Sequence, residues 1–328
     1  MKKLLVLSAM CLAMTAQATI LRVSNVPNSG APYTTIPSAI AAAVEGDTIM
    51  VDGSPDAYSE KTGTGGYVNV NVPIVLMGPG YLLTQNNVQS NGDQTVNISA
   101  QIRVSSGGAG SIIQGVNLTS ASALDIQAPN VVITRCKIDC DVWITTDATN
   151  CVLHQNLITG FVGRSNYSSY IGYNAQITNN IFMHANNSTT GILVGFNEST
   201  IAYNTFTKKP EAGDCTPLYK LQGCTVEHNI FFGAEKTFDN NTLIDNYWGE
   251  GGGSNYYPFE YCSTDLEVQN AELDNQFNAM EGKGAFAGDD PYVISGIPAG
   301  PVIQDITVPS TVEQGGTLNV TIKLGIQK

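Results

Sequence analysis

One six-residue pattern recurs seven times along the chain, and this repeat limits the possible folds more than any other feature. Its clearest member is ITNNIF, residues 177–182. The relatives are IQGVNL (113–118), ITRCKI (133–138), LHQNLI (153–158), IAYNTF (201–206), VEHNIF (226–231) and LIDNYW (243–248). Because each unit returns after only 17 to 25 residues, it is too short to bury a core alone and must stack on its neighbours. The period therefore predicts a solenoid.

Each unit has the same internal order. Position one is aliphatic and position six is large and apolar, so both can face a core only if the chain turns between them. Asparagine tolerates left-handed backbone, so we predict the turn at position four and expect the side-chain amides there to stack about 4.8 Å apart. Such a stack would be an asparagine ladder. Position four is occupied by Val116, Cys136, Asn156, Asn180, Asn204, Asn229 and Asn246.

The repeat resembles the right-handed parallel β-helix of the pectate-lyase-like superfamily. The entry segment PYTTIPSAIAAAVEGDTIMV (32–51) is similar to the opening of that family, in which a short amphipathic helix covers the open end of the solenoid. Here four apolar residues have helical spacing: Ile36, Ala39, Ile40 and Ala43.

The exit from the repeat resembles that of secreted bacterial β-helix proteins. The segment GAFAGDDPYVISGIP (284–298) precedes two alternating segments, VIQDITV (302–308) and TLNVTIKL (317–324). The resemblance thus implies an all-β chain: a single-stranded right-handed parallel β-helix with an N-terminal capping helix and a C-terminal β cap or hairpin.

The chain begins with features of a secretory leader. Lys2 and Lys3 precede an apolar stretch, and Ala16-Gln17-Ala18 has the form of a cleavage site. We therefore predict an exported protein that is periplasmic, cell-surface or extracellular. The predicted organisation is a signal peptide (1–18), an N-terminal cap with the first strands (19–65), β-helix rungs (66–262), and a C-terminal loop and β cap (263–328).

Charge and cysteine content exclude several classes of function. The net charge of −13 argues against nucleic acid, whose binding depends on basic residues, and favours neutral glycans over polyuronates. After the leader, no apolar run approaches the roughly 18 residues of a membrane span. The six later cysteines match no zinc signature, and either disulfides or buried thiols fit an exported chain.

In this superfamily the substrate groove usually runs along one sheet, named PB1. We place PB1 in the strand before each unit: 123–127, 141–145, 169–173, 191–195, 218–222 and 236–240. Alternation predicts these inward residues: Leu124, Ile126, Val142, Ile144, Ile192, Val194, Tyr219, Leu221 and Phe238. The predicted outward residues are Asp125, Gln127, Asp141, Trp143, Thr145, Lys220 and Asp239, together with Tyr170. Beyond residue 144 two registers that differ by one residue remain possible, and a shift between them would exchange the inward and outward side chains.

Trp143 is the most informative outward residue. An exposed indole between polar neighbours is a flat apolar platform on which a sugar ring can stack, whereas a loop over it would make it a packing residue. The predicted ligand-binding set on this face is Trp143, Asp141, Tyr170, Lys220 and Asp239.

Catalysis on this face would require an acid, a base and a cation. Lys220 and Asp141 are the candidates, because related lyases use a basic residue as base and glycosidases use two carboxylates. Those lyases neutralise the substrate carboxylate with Ca²⁺ or basic groups, so Ca²⁺ is the one candidate cofactor, and we predict no protein metal site. The histidines form no triad.

Three functions remain open from the sequence. The first is an exported β-helix protein that binds polysaccharide along PB1, the second a polysaccharide lyase or glycoside hydrolase on the same face. The third is a structural or adhesive solenoid without a small ligand. Trp143 favours the first two, and the lack of a clustered acid, base and cation disfavours the second.

Overall fold

A computed structural model describes the following residues: 18–62, 66–86, 94–120, 123–163, 172–184, 191–208, 217–231, 238–249, 262–273, 282–309, 311 and 315–327. Most of the predicted leader, Tyr170 and Cys215 lie outside them.

Three parallel sheets run the length of the molecule, as expected for a β-helix. We name them PB1, PB2 and PB3, in the order in which the chain visits them in each rung. The PB2 sheet has ten strands: Ile20–Val23, Thr48–Val51, Val75–Met77, Ile112–Gln114, Val132–Thr134, Val152–His154, Gln176–Thr178, Thr200–Ala202, Thr225–Glu227 and Thr242–Ile244.

The other two sheets have eight strands each. PB1 contains Tyr67–Val70, Gln101–Val104, Leu124–Ile126, Val142–Ile144, Val162–Gly163, Gly172–Tyr173, Leu193–Asn197 and Leu218–Gln222. PB3 contains Asn97–Ile98, Asn117–Leu118, Lys137–Ile138, Leu157–Ile158, Ile181–His184, Thr205–Lys208, Ile230–Phe231 and Tyr247–Trp248. The predicted right-handed parallel β-helix is therefore confirmed.

The core lies between the three sheets and is built of stacked columns. At position six the rings of Phe182, Phe206 and Phe231 are fully buried, with centroids 4.6 and 4.8 Å apart. Trp248 continues the column 4.3 Å beyond Phe231 and is half-buried. These spacings match the strand separation, so each rung buries the apolar face of the one before it.

The sharp corner between PB2 and PB3 differs from the prediction at one position. Residue three of each unit, and not the position-four asparagine, has left-handed backbone: Gly115, Arg135, Gln155, Asn179, Tyr203, His228 and Asp245 all have positive φ. The turn falls there because the position-four side chain must point inward, to the hydrogen-bonded interior of the corner.

At position four, the five asparagines form a stack. Asn180 donates from its backbone N–H and its Nδ2 to Asn204 Oδ1, at 2.9 and 3.0 Å, and its Nδ2 also donates to Leu153 O. Equivalent bonds join Asn156 to Asn180, Asn204 to Asn229, and Asn229 to Asn246. Asn156, Asn180, Asn204 and Asn229 are fully buried. Each amide therefore satisfies a backbone group that the corner removes from the sheets.

The N-terminal end of the solenoid is covered by helix α1, Ile36–Ala42. Thr35 caps it by accepting a hydrogen bond from Ser38 N at 3.2 Å, and Pro37 lies in its first turn, where a missing N–H costs nothing. Ile36, Ala39 and Ile40 are buried, as their spacing predicted.

After the last rung the chain packs against the outer face of PB3. Helix α2, Asp265–Leu273, and residues 282–298, which we call the return segment, cover apolar residues that point outward from that sheet. This second core contains Leu157, Ile181, Met183, Ile230, Val268, Ala285 and Tyr292. The outer face of PB3 is therefore interior, which leaves the outer faces of PB1 and PB2 to consider for a ligand.

The return segment runs back along the left-handed corner, rung by rung. Lys283 Nζ pairs with Asp245 Oδ1 at 3.0 Å. The Asn179, Gln155 and Arg135 side chains donate in turn to Ala287 O, Pro291 O and Ile297 O, at 2.8, 2.6 and 3.0 Å. Position three of successive units thus anchors a single strap that holds the rungs together.

The chain ends in the predicted hairpin, an antiparallel pair of strands, Gly300–Thr307 and Thr321–Gln327. Four cysteines inside the described residues are free, buried thiols: Cys136, Cys140, Cys151 and Cys224. Of the two alternatives left open by the sequence, buried thiols hold for these four, and Cys262 is buried as well.

Candidate functional site

The outer face of PB1 is defined by one column of side chains that the strand register brings side by side. Consecutive partners in this column are Asn69, Arg103, Asp125, Trp143, Gly163, Val194 and Tyr219. Their sequence neighbours Val68, Val70, Ile102, Val104, Leu124, Ile126, Val142 and Ile144 are buried in the core. Alternation along the strands therefore creates this face.

An ion pair lies at the N-terminal end of the column. Arg103 Nε donates to Asp125 Oδ2 at 2.8 Å, and Gln127 Nε2 donates to the same oxygen at 2.8 Å. The Arg103 guanidinium also lies over the Tyr67 ring, 3.8 Å from its centroid, which is a cation–π contact. Asp125 was correctly predicted to point outward, but with 5% exposure it is enclosed by these neighbours and is not a solvated surface acid.

Arg103 and Tyr67 were not predicted as PB1 residues, because the predicted sheet began at residue 123. The signal was present, since YVNV (67–70) and QIRV (101–104) alternate polar and apolar residues in the same way as the later strands.

Three aromatic side chains are exposed on PB1. Trp143, Tyr173 and Tyr219 are 38%, 40% and 42% exposed, and within the described part of the chain no other aromatic residue is as open to solvent. Trp143 is therefore outward, as predicted, and no described loop covers it. Three strand spacings separate it from Tyr219, roughly 14 Å.

Tyr219 was wrongly predicted to point inward. Leu193 and Leu218 align with the core residue Val142 through Val162, and Val194 and Tyr219 fall in the outward column. In the structure Leu193 faces the core, whereas Val194 was predicted to do so. Ile192 is buried in the core, as predicted.

The cause of this shift is a pair of left-handed residues inside two adjacent strands. Gly195 and Lys220 have φ of 75° and 53°, and the register passes directly from Val194↔Tyr219 to Phe196↔Leu221. The irregularity lets residues three apart face the core, so strict alternation fails there.

The remaining predicted site residues are spread along the sheet. Asp141 is half-buried, and its Oδ1 accepts a hydrogen bond from Phe161 N at 3.0 Å. Lys220 Nζ lies 5.5 Å from the Tyr219 ring centroid. Because Asp141 precedes the Trp143 strand and Lys220 follows Tyr219, they are about three strands apart and do not meet. Asp239 is exposed in a turn, and Tyr170 lies outside the described residues.

His154 and His228 lie at the corner between PB2 and PB3, away from PB1. The Nδ1 and Nε2 atoms of His154 bond Thr178 and Asp290, at 2.8 and 3.0 Å. Desolvation lowers the pKa of His154, and the nearby Asp290 partly opposes this. The His228 ring stacks on Tyr203 with centroids 4.9 Å apart. The His154 ring therefore joins the corner to the return segment, and the His228 ring packs within the corner.

Comparison with known proteins gives one family and two solved structures. The model of a family described as "Periplasmic copper-binding protein (NosD)" matches residues 40–263. A crystal structure of pectin methylesterase with hexasaccharide VII is 12% identical with a TM-score of 0.30, and a mutant with hexasaccharide IV is 13% identical with a TM-score of 0.27. Both matches cover 86% of this chain and all of the other chain. TM-scores this low carry no argument about the fold, which rests on the strand pairings described above. No curated protein matches the chain.

The description of the family implies copper, which proteins bind with thiolate, thioether or imidazole ligands. The described residues contain no group of three or more His, Cys, Asp or Glu placed to hold a metal ion. Burial raises the pKa of the Cys136 and Cys140 thiols to about 12, which disfavours thiolate ligands. The described part of the chain therefore offers no cluster of His, Cys, Asp or Glu for copper.

In the part of the chain that the structure describes, no helix has the length and apolarity needed to cross a bilayer. The family match places the protein among periplasmic proteins, so it is exported, as predicted. The match spans more than half of the sequence and covers the rungs that carry the PB1 face. The chain therefore belongs to the NosD family.

Proposed function

We propose that this exported β-helix protein binds a polysaccharide along the outer face of the PB1 sheet. The observation that supports this most is that, among the described residues, the exposed aromatic rings Trp143, Tyr173 and Tyr219 all lie on that one face. Aromatic rings offer a sugar an apolar surface without requiring charge, and they lose little conformational entropy on binding.

The spacing of the exposed rings suits a polysaccharide better than a single sugar. Trp143 and Tyr219 are roughly 14 Å apart along the axis, so one monosaccharide cannot contact both. Between them lie Gly163, which has no side chain, and Val194, which is 3% exposed. Both positions are buried, so a glycan lying parallel to the axis would contact the two rings and pass over this covered stretch.

The positions of the charged residues on PB1 favour a protein that binds the glycan without cleaving it. A catalytic site needs preorganised groups around the reacting atoms. Asp141 and Lys220 are about three strands apart, which exceeds the roughly 3 Å reach of a general base. The lyase or hydrolase alternative therefore lacks a shared site for its two candidate residues.

The test is binding of soluble polysaccharides by calorimetry. The panel contains arabinoxylan, xyloglucan, galactomannan, polygalacturonate and alginate, with and without Ca²⁺. We expect Trp143→Ala to weaken binding on the order of ten-fold, the usual effect of losing a central aromatic contact, without lowering the Tm.

Met50→Ala is the matched control, because Met50 is 36% exposed on PB2. It should leave affinity unchanged. Wild-type protein that binds nothing in the panel would favour the structural solenoid, and a Trp143→Ala variant that binds normally but melts earlier would make the indole a packing residue.

A further inference from the structure

A buried carboxylate on the PB1 face, one strand from Trp143, has capacity for more hydrogen bonds. Asp125 alternates with the core residues Leu124 and Ile126, and it is enclosed by side chains of its own face. Its charge is compensated by Arg103, since an ionised group is costly to bury without a partner. The pair is thus held in place before any ligand arrives.

The described hydrogen bonds use only part of this cluster. The bonds from Arg103 and Gln127 both end on Asp125 Oδ2, and the one from Arg103 uses Nε. A carboxylate has a second oxygen, and a guanidinium has further N–H donors on its two terminal nitrogens. The Arg103 side chain is 28% exposed, so it can be reached from solvent.

We propose that Asp125, Arg103 and Gln127 form a subsite that recognises two neighbouring hydroxyl groups of a neutral sugar residue. One hydroxyl donates to the Asp125 carboxylate, and the next accepts from the guanidinium or the amide. The glycan then continues across the adjacent strand onto Trp143. This inference rests on the proposed function and names the substrate class of the same face.

Charge argues for a neutral sugar over a uronate at this subsite. The formal charges of Arg103 and Asp125 cancel, and Asp141 adds a negative charge beside Trp143. A sugar carboxylate at this subsite would be repelled by the negative charge of Asp125, while the positive charge of Arg103 is already compensated. Hydroxyl groups can donate and accept, so they match a site that presents an acceptor between two donors.

The experiment measures affinity of the full chain for galactomannan, arabinoxylan and polygalacturonate by calorimetry. We expect Asp125→Asn to lower affinity for the neutral polymer bound best by about ten-fold, because a charged hydrogen-bond acceptor is replaced by a weaker neutral one. The same variant should bind polygalacturonate more tightly than wild type, because Arg103 is left uncompensated. Asp139→Asn is the matched control, since Asp139 forms a similar pair with Lys137 beside PB3; it should change neither affinity.

Two results separate this subsite from the wider proposal. If Trp143→Ala weakens binding while Asp125→Asn leaves it unchanged, the face binds glycan and the subsite is wrong. If wild type prefers polygalacturonate to every neutral polymer, the neutral class is wrong. Should neither variant change binding, or wild type bind no polymer, both proposals fail.

A second variant covers the case in which Asp125→Asn does not fold, as judged by circular dichroism and Tm. Gln127→Leu removes one donor and leaves the ion pair intact. We expect it to weaken neutral-polymer binding several-fold with an unchanged Tm; unchanged affinity would overturn the subsite.

Discussion

Replacing Asn204 by Leu tests whether the position-four stack is a stabilising asparagine ladder. Asn204 is fully buried in the middle of the stack. Its Oδ1 accepts from the Asn180 backbone N–H at 2.9 Å, and its Nδ2 donates to Ile177 O at 2.8 Å and to Asn229 Oδ1 at 2.9 Å. Leucine has similar size but can make none of these bonds.

The expected cost follows from the groups left unpaired. The Asn180 N–H and the Ile177 carbonyl each lose the Asn204 bond, and a buried orphaned group costs about 1–3 kcal/mol. Burying the apolar leucine offsets up to about 2 kcal/mol. With the middle of that range for each of the two groups, the loss is about 4 kcal/mol before the offset and about 2–4 kcal/mol after it, which in a chain of this size lowers Tm by about 3–6 °C.

The assay is thermal and urea unfolding followed by circular dichroism. The matched control is Asn117→Leu, a strand residue whose Nδ2 makes one described bond, to Asn97 Oδ1 at 2.8 Å. That change should cost no more than about 1.5 kcal/mol. If both variants lose the same stability, the stacked amides contribute no more than an ordinary side-chain hydrogen bond, and the ladder argument fails.

Two further predictions concern pH and turnover. Burial raises the pKa of Glu272 from 4.5 to about 8, and its hydrogen bond with Thr205 opposes this. The folded state therefore holds a proton that the unfolded state releases, so stability falls as pH rises from about 4.5 to about 8; Glu272→Gln should flatten this dependence, and an unchanged Tm–pH curve would contradict it. Incubation with pectate, alginate, chondroitin and neutral plant glycans should give no robust release of unsaturated products or reducing ends. Any turnover should depend on Lys220 or Asp141, and loss only in His154→Ala would overturn that assignment.

Much of the solenoid could be predicted because its determinants are local and repeated. Aliphatic residues at position one and large apolar residues at position six have no other way to be buried than in stacked columns, and the phenylalanine column has this arrangement. The capping helix likewise follows from apolar spacing and from the Thr35 cap. In each case the side chains that determine the element lie within a few residues of one another.

The candidate site was predicted only where strands follow regular alternation. Trp143 lies between Val142 and Ile144 in an ordinary strand, so its outward direction followed from the sequence. Tyr219 did not, because Gly195 and Lys220 adopt left-handed backbone inside paired strands. That conformation depends on the neighbouring rung, and the local pattern contains no sign of it.

The sequence by itself determined the period, the inward columns of the regularly alternating strands, the position of the stacked asparagines and the elements at the two ends. Only the tertiary structure decided which residue turns the corner, how far Asp125 is enclosed, and where the return segment lies. These features depend on partners far apart in the chain: Arg103 and Asp125 are 22 residues apart, and Arg135 bonds Ile297 across 162. Periodicity specifies which face a side chain occupies, whereas its burial and charge compensation depend on what the fold brings beside it.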